Sequence, residues 1–99
     1  MKLKVKKSSV FHEDGKETPY HELYIGYDFD PSILITIRIY PSNTHLVVQT
    51  DEGKVTVKED NYTFNFLVWF PRVIKMFDLV FSPRQLAEIY TYYQKIENL

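Results

Sequence analysis

From Ile33 to Phe70, apolar and polar residues alternate through four consecutive segments, and tight turns between them keep the phase. Ile33, Ile35, Ile37 and Ile39 share one parity, while Leu34, Thr36, Arg38 and Tyr40 share the other. Successive side chains of a strand leave opposite faces, so this is a strand with one face committed to a core. Slipping any pairing by one residue would turn a whole strand inside out, so the hydrophobic pattern also constrains register. With Pro41-Ser42-Asn43-Thr44 as a four-residue turn, Ile39 falls opposite Leu46 and Ile37 opposite Val48. Glu52-Gly53 as a two-residue turn sets Val48 against Val57. Asp60-Asn61 then sets Val57 against Phe64 and Val55 against Phe66. Apolar residues meet at every step. The expected core face runs from Ile35, Ile37 and Ile39 through Leu46, Val48, Val55 and Val57 to Phe64, Phe66, Val68 and Phe70. The opposite face carries Thr36, Arg38, Tyr40, His45, Val47, Gln49, Thr56, Lys58, Thr63 and Asn65, with Leu67 and Trp69 breaking its polarity at the far end.

The flanks extend this plan. Residues 2–11 read as a strand in which Leu3 and Val5 alternate with lysines, and Asp14-Gly15 signals a type I′ hairpin turn. Tyr20 to Tyr27 forms the returning strand, with Pro19 placing its start at an edge or bulge, and residues 28–32 form a loop. Ser82-Pro83-Arg84-Gln85 opens a helix: Ser82 caps, Pro83 suits the first helical position and Gln85 completes a capping box. Its apolar stripe is Leu86, Ile89, Tyr90, Tyr93 and Ile96. Residues 71–81 fit a helix starting at Pro71 (Val73, Ile74, Phe77, Val80) or a strand (Phe77, Leu79, Phe81), and the helix is favoured because no second hairpin signal follows. The expected fold is one α+β domain over residues 1–99. It comprises an antiparallel meander sheet of about six strands, packed on one face by one or two C-terminal helices.

Composition narrows the chemistry. The chain has 99 residues, sufficient for one modest core. The absence of Cys excludes disulfides, thiol catalysis and thiolate metal sites. The basic start Met1-Lys2-Leu3-Lys4-Val5-Lys6-Lys7 has no apolar run behind it, and no stretch approaches the ~20 apolar residues of a membrane span. A cytoplasmic protein without membrane partners is expected. A formal net charge of −1 argues against strong general affinity for nucleic acid. The charges are unevenly spread, however. Lys2, Lys4, Lys6 and Lys7 crowd the first strand, and Glu13, Asp14, Glu17, Glu22, Asp28 and Asp30 follow with only Lys16 among them. Pairing of those two strands points to mutual solvation across the sheet.

Motifs for chemistry are sparse. His12-Glu13-Asp14 and His21-Glu22 bracket the first hairpin and contain metal-ligand types, but an exposed tip favours simple solvation. Asp28 and Asp30 offer an acid–base pair, yet Asp before Pro31-Ser32 is ordinary turn chemistry. Nothing matches a nucleophilic triad or a phosphate-cradling glycine loop. Asn61-Tyr62-Thr63 is a glycosylation sequon in a tight turn.

No enzyme activity and no cofactor are therefore expected. The candidate interaction surface is Arg38, Tyr40, His45 and Lys58 on the polar sheet face, with Leu67, Trp69 and Tyr92 as surplus apolar groups. Those surplus rings, with Phe29 and Phe81, point to a protein–protein module acting as a homodimer or on a foreign partner. The composition, free of cysteine, poor in glycine and rich in Tyr and Ile, resembles small accessory proteins of phages and archaeal viruses. The competing reading is a single-stranded nucleic-acid binder, with rings stacking bases and cations following phosphates. A metal-dependent nuclease or hydrolase using the acidic 12–30 segment ranks behind both.

Overall fold

Among the described residues, five strands follow one another as an antiparallel meander in spatial order β1-β2-β3-β4-β5. They are β1 (Lys2–Phe11), β2 (Glu17–Gly26), β3 (Leu34–Ile39), β4 (Asn43–Thr50) and β5 (Gly53–Asp60), followed by α1 (Phe66–Met76) and α2 (Pro83–Glu97). The computed structural model describes residues 1–97, so residues 98 and 99 of the expected single domain lie outside the described residues. The class is the α+β meander anticipated above, with five strands instead of six.

Every turn is tighter or differently wound than its residues suggest, yet each strand keeps its faces. The Tyr40 amide donates to the Asn43 carbonyl (2.9 Å), so Pro41-Ser42 alone forms the β3–β4 turn. Ile37 consequently lies opposite Leu46, and Ile35 opposite Val48. Asp51-Glu52 forms the next turn, closing on Thr50 opposite Gly53 and setting Val48 against Val55. Gly53 takes φ 138°, a value that side-chain-bearing residues rarely adopt. Both pairings differ from expectation by two residues, an even slip that leaves the same side chains inside. In the first hairpin only Gly15 has positive φ (83°), and the His12 amide bonds the Lys16 carbonyl (2.8 Å). This is a three-residue loop with a left-handed glycine, not the type I′ turn read from Asp14-Gly15.

The expected sixth strand is a helix. Phe64, Phe66, Val68 and Phe70 alternate as a strand would, but Phe66, Trp69, Phe70, Val73 and Ile74 recur at helical spacing, and these five are the buried residues of α1. Asn65 caps it, its side-chain oxygen accepting from the Leu67 amide at 3.2 Å. Helical winding carries Trp69 from the expected outer face into the core, 5% exposed with its ring 5.1 Å from Phe64, and carries Val68 out to 52% exposure. Pro71 sits inside α1 and does not open it. The bond it forfeits is to the carbonyl of Leu67, a residue on the helix's exposed side. The helix ends in a Schellman motif: Asp78 takes φ 56°, its amide bonds the Lys75 carbonyl, and the Leu79 amide reaches back to Ile74 (both 3.1 Å).

The cap read for α2 is present in both halves. The Ser82 amide donates to Gln85 Oε1 (2.8 Å), and the Gln85 amide donates to Ser82 Oγ (3.1 Å). Ile89, Tyr93 and Ile96 are buried, with Leu86 and Tyr90 partly so. α2 lies against β1 and β2, and Phe66 of α1 stacks on Tyr93 (4.4 Å between centroids) and on Phe70 (5.0 Å). Both helices thus cover the face of Leu23, Ile25, Ile35, Ile37, Leu46 and Val48. Of the expected core face, Val55 is instead 54% exposed, because β5 is an edge strand. Among the described residues, no helix covers the other face of the sheet.

Candidate functional site

The register assembles that helix-free face in rows. Lys6, Glu22, Arg38, His45 and Lys58 are directly opposite one another from β1 to β5. One row away run Lys4, Tyr24, Thr36, Val47 and Thr56, and beyond them Lys2, Gly26, Leu34, Gln49 and Lys54. On the other side, Ser8 pairs with Tyr20 and Asn43 with Asp60, with Tyr40 stacked on Tyr20 between them (4.6 Å). Five strands at ~4.8 Å spacing make this face about 19 Å wide. Lysines of β1 and β5 line its two flanks, and the rings of Tyr20, Tyr24, Tyr40 and His45 occupy the middle.

The sum of charge on this face differs sharply from that of the chain. Six of the twelve Lys and Arg (Lys2, Lys4, Lys6, Arg38, Lys54, Lys58) lie on it, against two of the thirteen Asp and Glu (Glu22, Asp60). The face therefore carries +4 and the remainder of the chain −5, which together make the bland net −1. The mutual solvation expected for β1 and its acidic neighbours is mostly absent. Only Glu22 falls opposite a lysine, whereas Glu13, Asp14 and Glu17 sit at or beside the hairpin tip and Asp28 and Asp30 in the following loop.

Glu22 is also the anion least open to solvent, at 6% exposure, and its carboxylate accepts the Tyr24 hydroxyl. That hydrogen bond, together with burial and the carboxylate's charge, raises the Tyr24 pKa from its usual 10.0. Arg38 lies opposite Glu22, and its Nε is buried without a hydrogen-bond partner. His45 donates from Nε2 to Asn43 Oδ1 (2.8 Å), and its ring lies 4.7 Å from Tyr40. Burial, then the fields of Lys58 and Arg38, lower its pKa from 6.5, so it is neutral at physiological pH. The Tyr20–Tyr40–His45 pile is half-buried, with Tyr40 flanked by both of its neighbours.

Of the candidate residues, Arg38, Tyr40, His45 and Lys58 are brought together and the other three are not. Leu67 is exposed on α1 and Trp69 is internal, so neither touches the polar face. Tyr92 is half-buried on α2 with Lys95 Nζ 4.6 Å from its ring centre. Tyr20 and Glu22 belong to the face although they precede the alternation that starts at Ile33, and Lys54 joins it by sharing the parity of Thr56 and Lys58. The parity of Tyr20 with Tyr24 was the available signal.

Asp14 and Asp30 are engaged in local turns, and Asp28 in an ion pair. Asp14 Oδ1 accepts the Lys16 amide (2.9 Å), and His12 Nε2 bonds Thr18 Oγ1 (2.8 Å). Asp30 accepts from the Ser32 amide and hydroxyl, which lowers its pKa, and Asp28 pairs with the α-amino group of Met1 at 2.5 Å. Among the described residues no three or more His, Asp or Glu are grouped to hold a metal ion. No helix among them is long and apolar enough to cross a membrane. Compared with known proteins, the chain matches no family model, no curated protein and no solved structure.

Proposed function

We propose that this is a non-catalytic binding protein whose helix-free sheet face takes single-stranded nucleic acid. The observation that carries the reading is the placement of the β1 lysines on the same face as Arg38, Lys54 and Lys58, around Tyr20, Tyr24 and Tyr40. Cations at both flanks follow a phosphate backbone, while the half-buried rings between them offer stacking partners to bases without regard to sequence. Neutral His45 and buried Glu22 leave the outward field positive across the middle row.

Anisotropy titrations of a labelled single strand at several salt concentrations test this. Single strands release about 0.7 counterion per phosphate neutralised, so contacts from Lys4, Lys6, Arg38 and Lys58 give a log–log salt slope near −3. Replacing Arg38 and Lys58 by Ala should reduce that slope by about 1.4. Absence of binding at low salt overturns the reading.

A second reading, self-association through protein contact, is favoured by a separate observation. β5 ends the sheet with an unpaired edge, and Val55 and Val68 stand exposed beside it. A concentration series in the analytical ultracentrifuge tests it, and a strict monomer at high concentration removes it.

A further inference from the structure

We infer that a second copy of this chain docks antiparallel along β5, centred on Val57, to make one continuous ten-stranded sheet. The inference rests on the self-association reading and specifies its surface and register.

The open edge has defined hydrogen-bonding residues. Tyr40 bonds the Asn43 carbonyl across a two-residue turn, so Asn43, His45, Val47 and Gln49 serve β3, and the intervening β4 residues serve β5. Those meet Val55, Val57 and Glu59. Lys54, Thr56 and Lys58 are left directing amide and carbonyl outward, as a strand edge that templates pairing.

Charge selects both the edge and the register. Joining two β1 strands about Val5, Lys6 or Lys7 sets lysine opposite lysine, so that edge is guarded. For β5, a twofold axis perpendicular to the sheet keeps cores on one side and demands that a residue pair with another of its own parity. Centring on Thr56 puts Lys54 against Lys58 twice, and centring on Lys58 puts it against itself. Centring on Val55 runs the partner into the Asp51-Glu52 turn after five pairs. Centring on Val57 puts Lys54 opposite Asp60 of the second copy at both ends, Thr56 opposite Lys58, and Val57 opposite Val57. Val55 then falls opposite Glu59, so the match is an opposite-charge pair at each end of a register free of like-charge contacts, with Val57 meeting itself at the axis. Val55 and Val68 flank this seam on the core side, where a neighbour would cover them; Val68 shares a small cleft with Glu59 of β5.

The cysteine-free chain allows a position-specific test. At the twofold, Val57 faces its copy as a non-hydrogen-bonded pair with Cα atoms about 4.5 Å apart, within disulfide range. Copies of Val55 are offset by four residues, about 13 Å, beyond that range. Val57→Cys and Val55→Cys proteins, each checked for native circular dichroism, are oxidised mildly at equal concentration. Covalent dimer forming at position 57 and far more slowly at 55 is the expected result. In sedimentation, Lys54→Glu should weaken the unmodified dimer about tenfold, since it turns two attractive pairs repulsive. A dimer that cross-links equally at both positions, or faster at 55, overturns this register while leaving self-association intact. Assembly beyond the dimer overturns the closed twofold, and a strict monomer removes the inference together with the reading beneath it.

Discussion

Substituting Glu22 by Gln should lower stability and raise single-strand affinity at once, because the same carboxylate anchors the Tyr24 hydroxyl and opposes the ligand. Glu22 lies between Lys6 and Arg38 across the strands and accepts the Tyr24 hydroxyl. Lys6 and Arg38 lie opposite the carboxylate without closing an ion pair on it, so each contributes only the low end of the about 0.2–1 kcal/mol of a cross-strand charge pair. Converting a charge-assisted hydrogen bond to a neutral one removes about 1 kcal/mol more. Relief of the buried charge offsets part of this, which leaves a loss of about 1 kcal/mol and a Tm lower by about 4–8 °C for a domain of this size. In the complex, a phosphate beside Lys6 or Arg38 stands roughly 8 Å from the carboxylate, where repulsion is about 0.5 kcal/mol in water. Two such phosphates give an affinity gain of two- to fivefold at low salt that fades as screening increases. Thermal melts and anisotropy supply the two readouts, and ultraviolet titration supplies a third. With the acceptor neutralised, the raised Tyr24 pKa should fall back toward 10.0. A variant with unchanged Tm and unchanged tyrosine titration would refute the carboxylate's structural role, and weaker binding would refute the face as the ligand surface.

Further consequences follow from individual residues. His45 has a lowered pKa, so the unfolded chain binds its proton more readily; stability should be full above pH 6.5 and decline as pH falls through the lower folded value. Over the same window protonation adds a cation to the face and should strengthen single-strand binding, and His45→Asn should abolish both pH steps in melts and anisotropy. Asn65→Ala removes the α1 cap and should cost about 1 kcal/mol by denaturant titration, whereas Asn65→Asp should retain most of it. Phe70→Ala opens a cavity where the ring stacks on Phe66 and should destabilise the fold by about 3–5 kcal/mol, measured the same way.

The sheet was legible because a two-fold side-chain period forgives even errors. The turns at Pro41-Ser42 and Asp51-Glu52 each differ from the expected turn by a two-residue shift in register, yet Ile35, Ile37, Leu46 and Val48 lie inside. α1 was not legible for the complementary reason. A short, nearly all-apolar run such as Phe64–Phe70 satisfies both periods, and Pro71 drew the expected helix start five residues too late. Asn65 ahead of Phe66 was the local cue, and the continuation through Val73 and Ile74 its confirmation. The α2 capping box was readable outright because it is a wholly local interaction. The charged face was half readable: parity assigns Arg38, Tyr40, His45 and Lys58, but which lysines join them depends on how β1 registers against β2, and a net charge of −1 conceals the segregation.

Joining the face to the β5 seam yields a linkage that neither implies alone. A twofold axis perpendicular to the sheet leaves both polar faces on the same side, so two +4 surfaces become one, spanning ten strands and about 43 Å. Bringing them together concentrates positive charge, which opposes dimerisation at low salt and is neutralised by any polyanion that bridges both copies. By reciprocity, a ligand that binds the dimer more tightly than the monomer must tighten the dimer by the same factor. A single strand long enough to cross the seam should therefore promote dimerisation, with a steeper salt dependence than a short one, while a strand confined to one face should leave the monomer–dimer equilibrium nearly unchanged. Sedimentation velocity with short and long labelled strands at matched nucleotide concentration separates these cases. If both lengths bind but neither shifts the equilibrium, the two faces do not act as one surface, and the seam lies elsewhere or the ligand runs along the strands instead of across them.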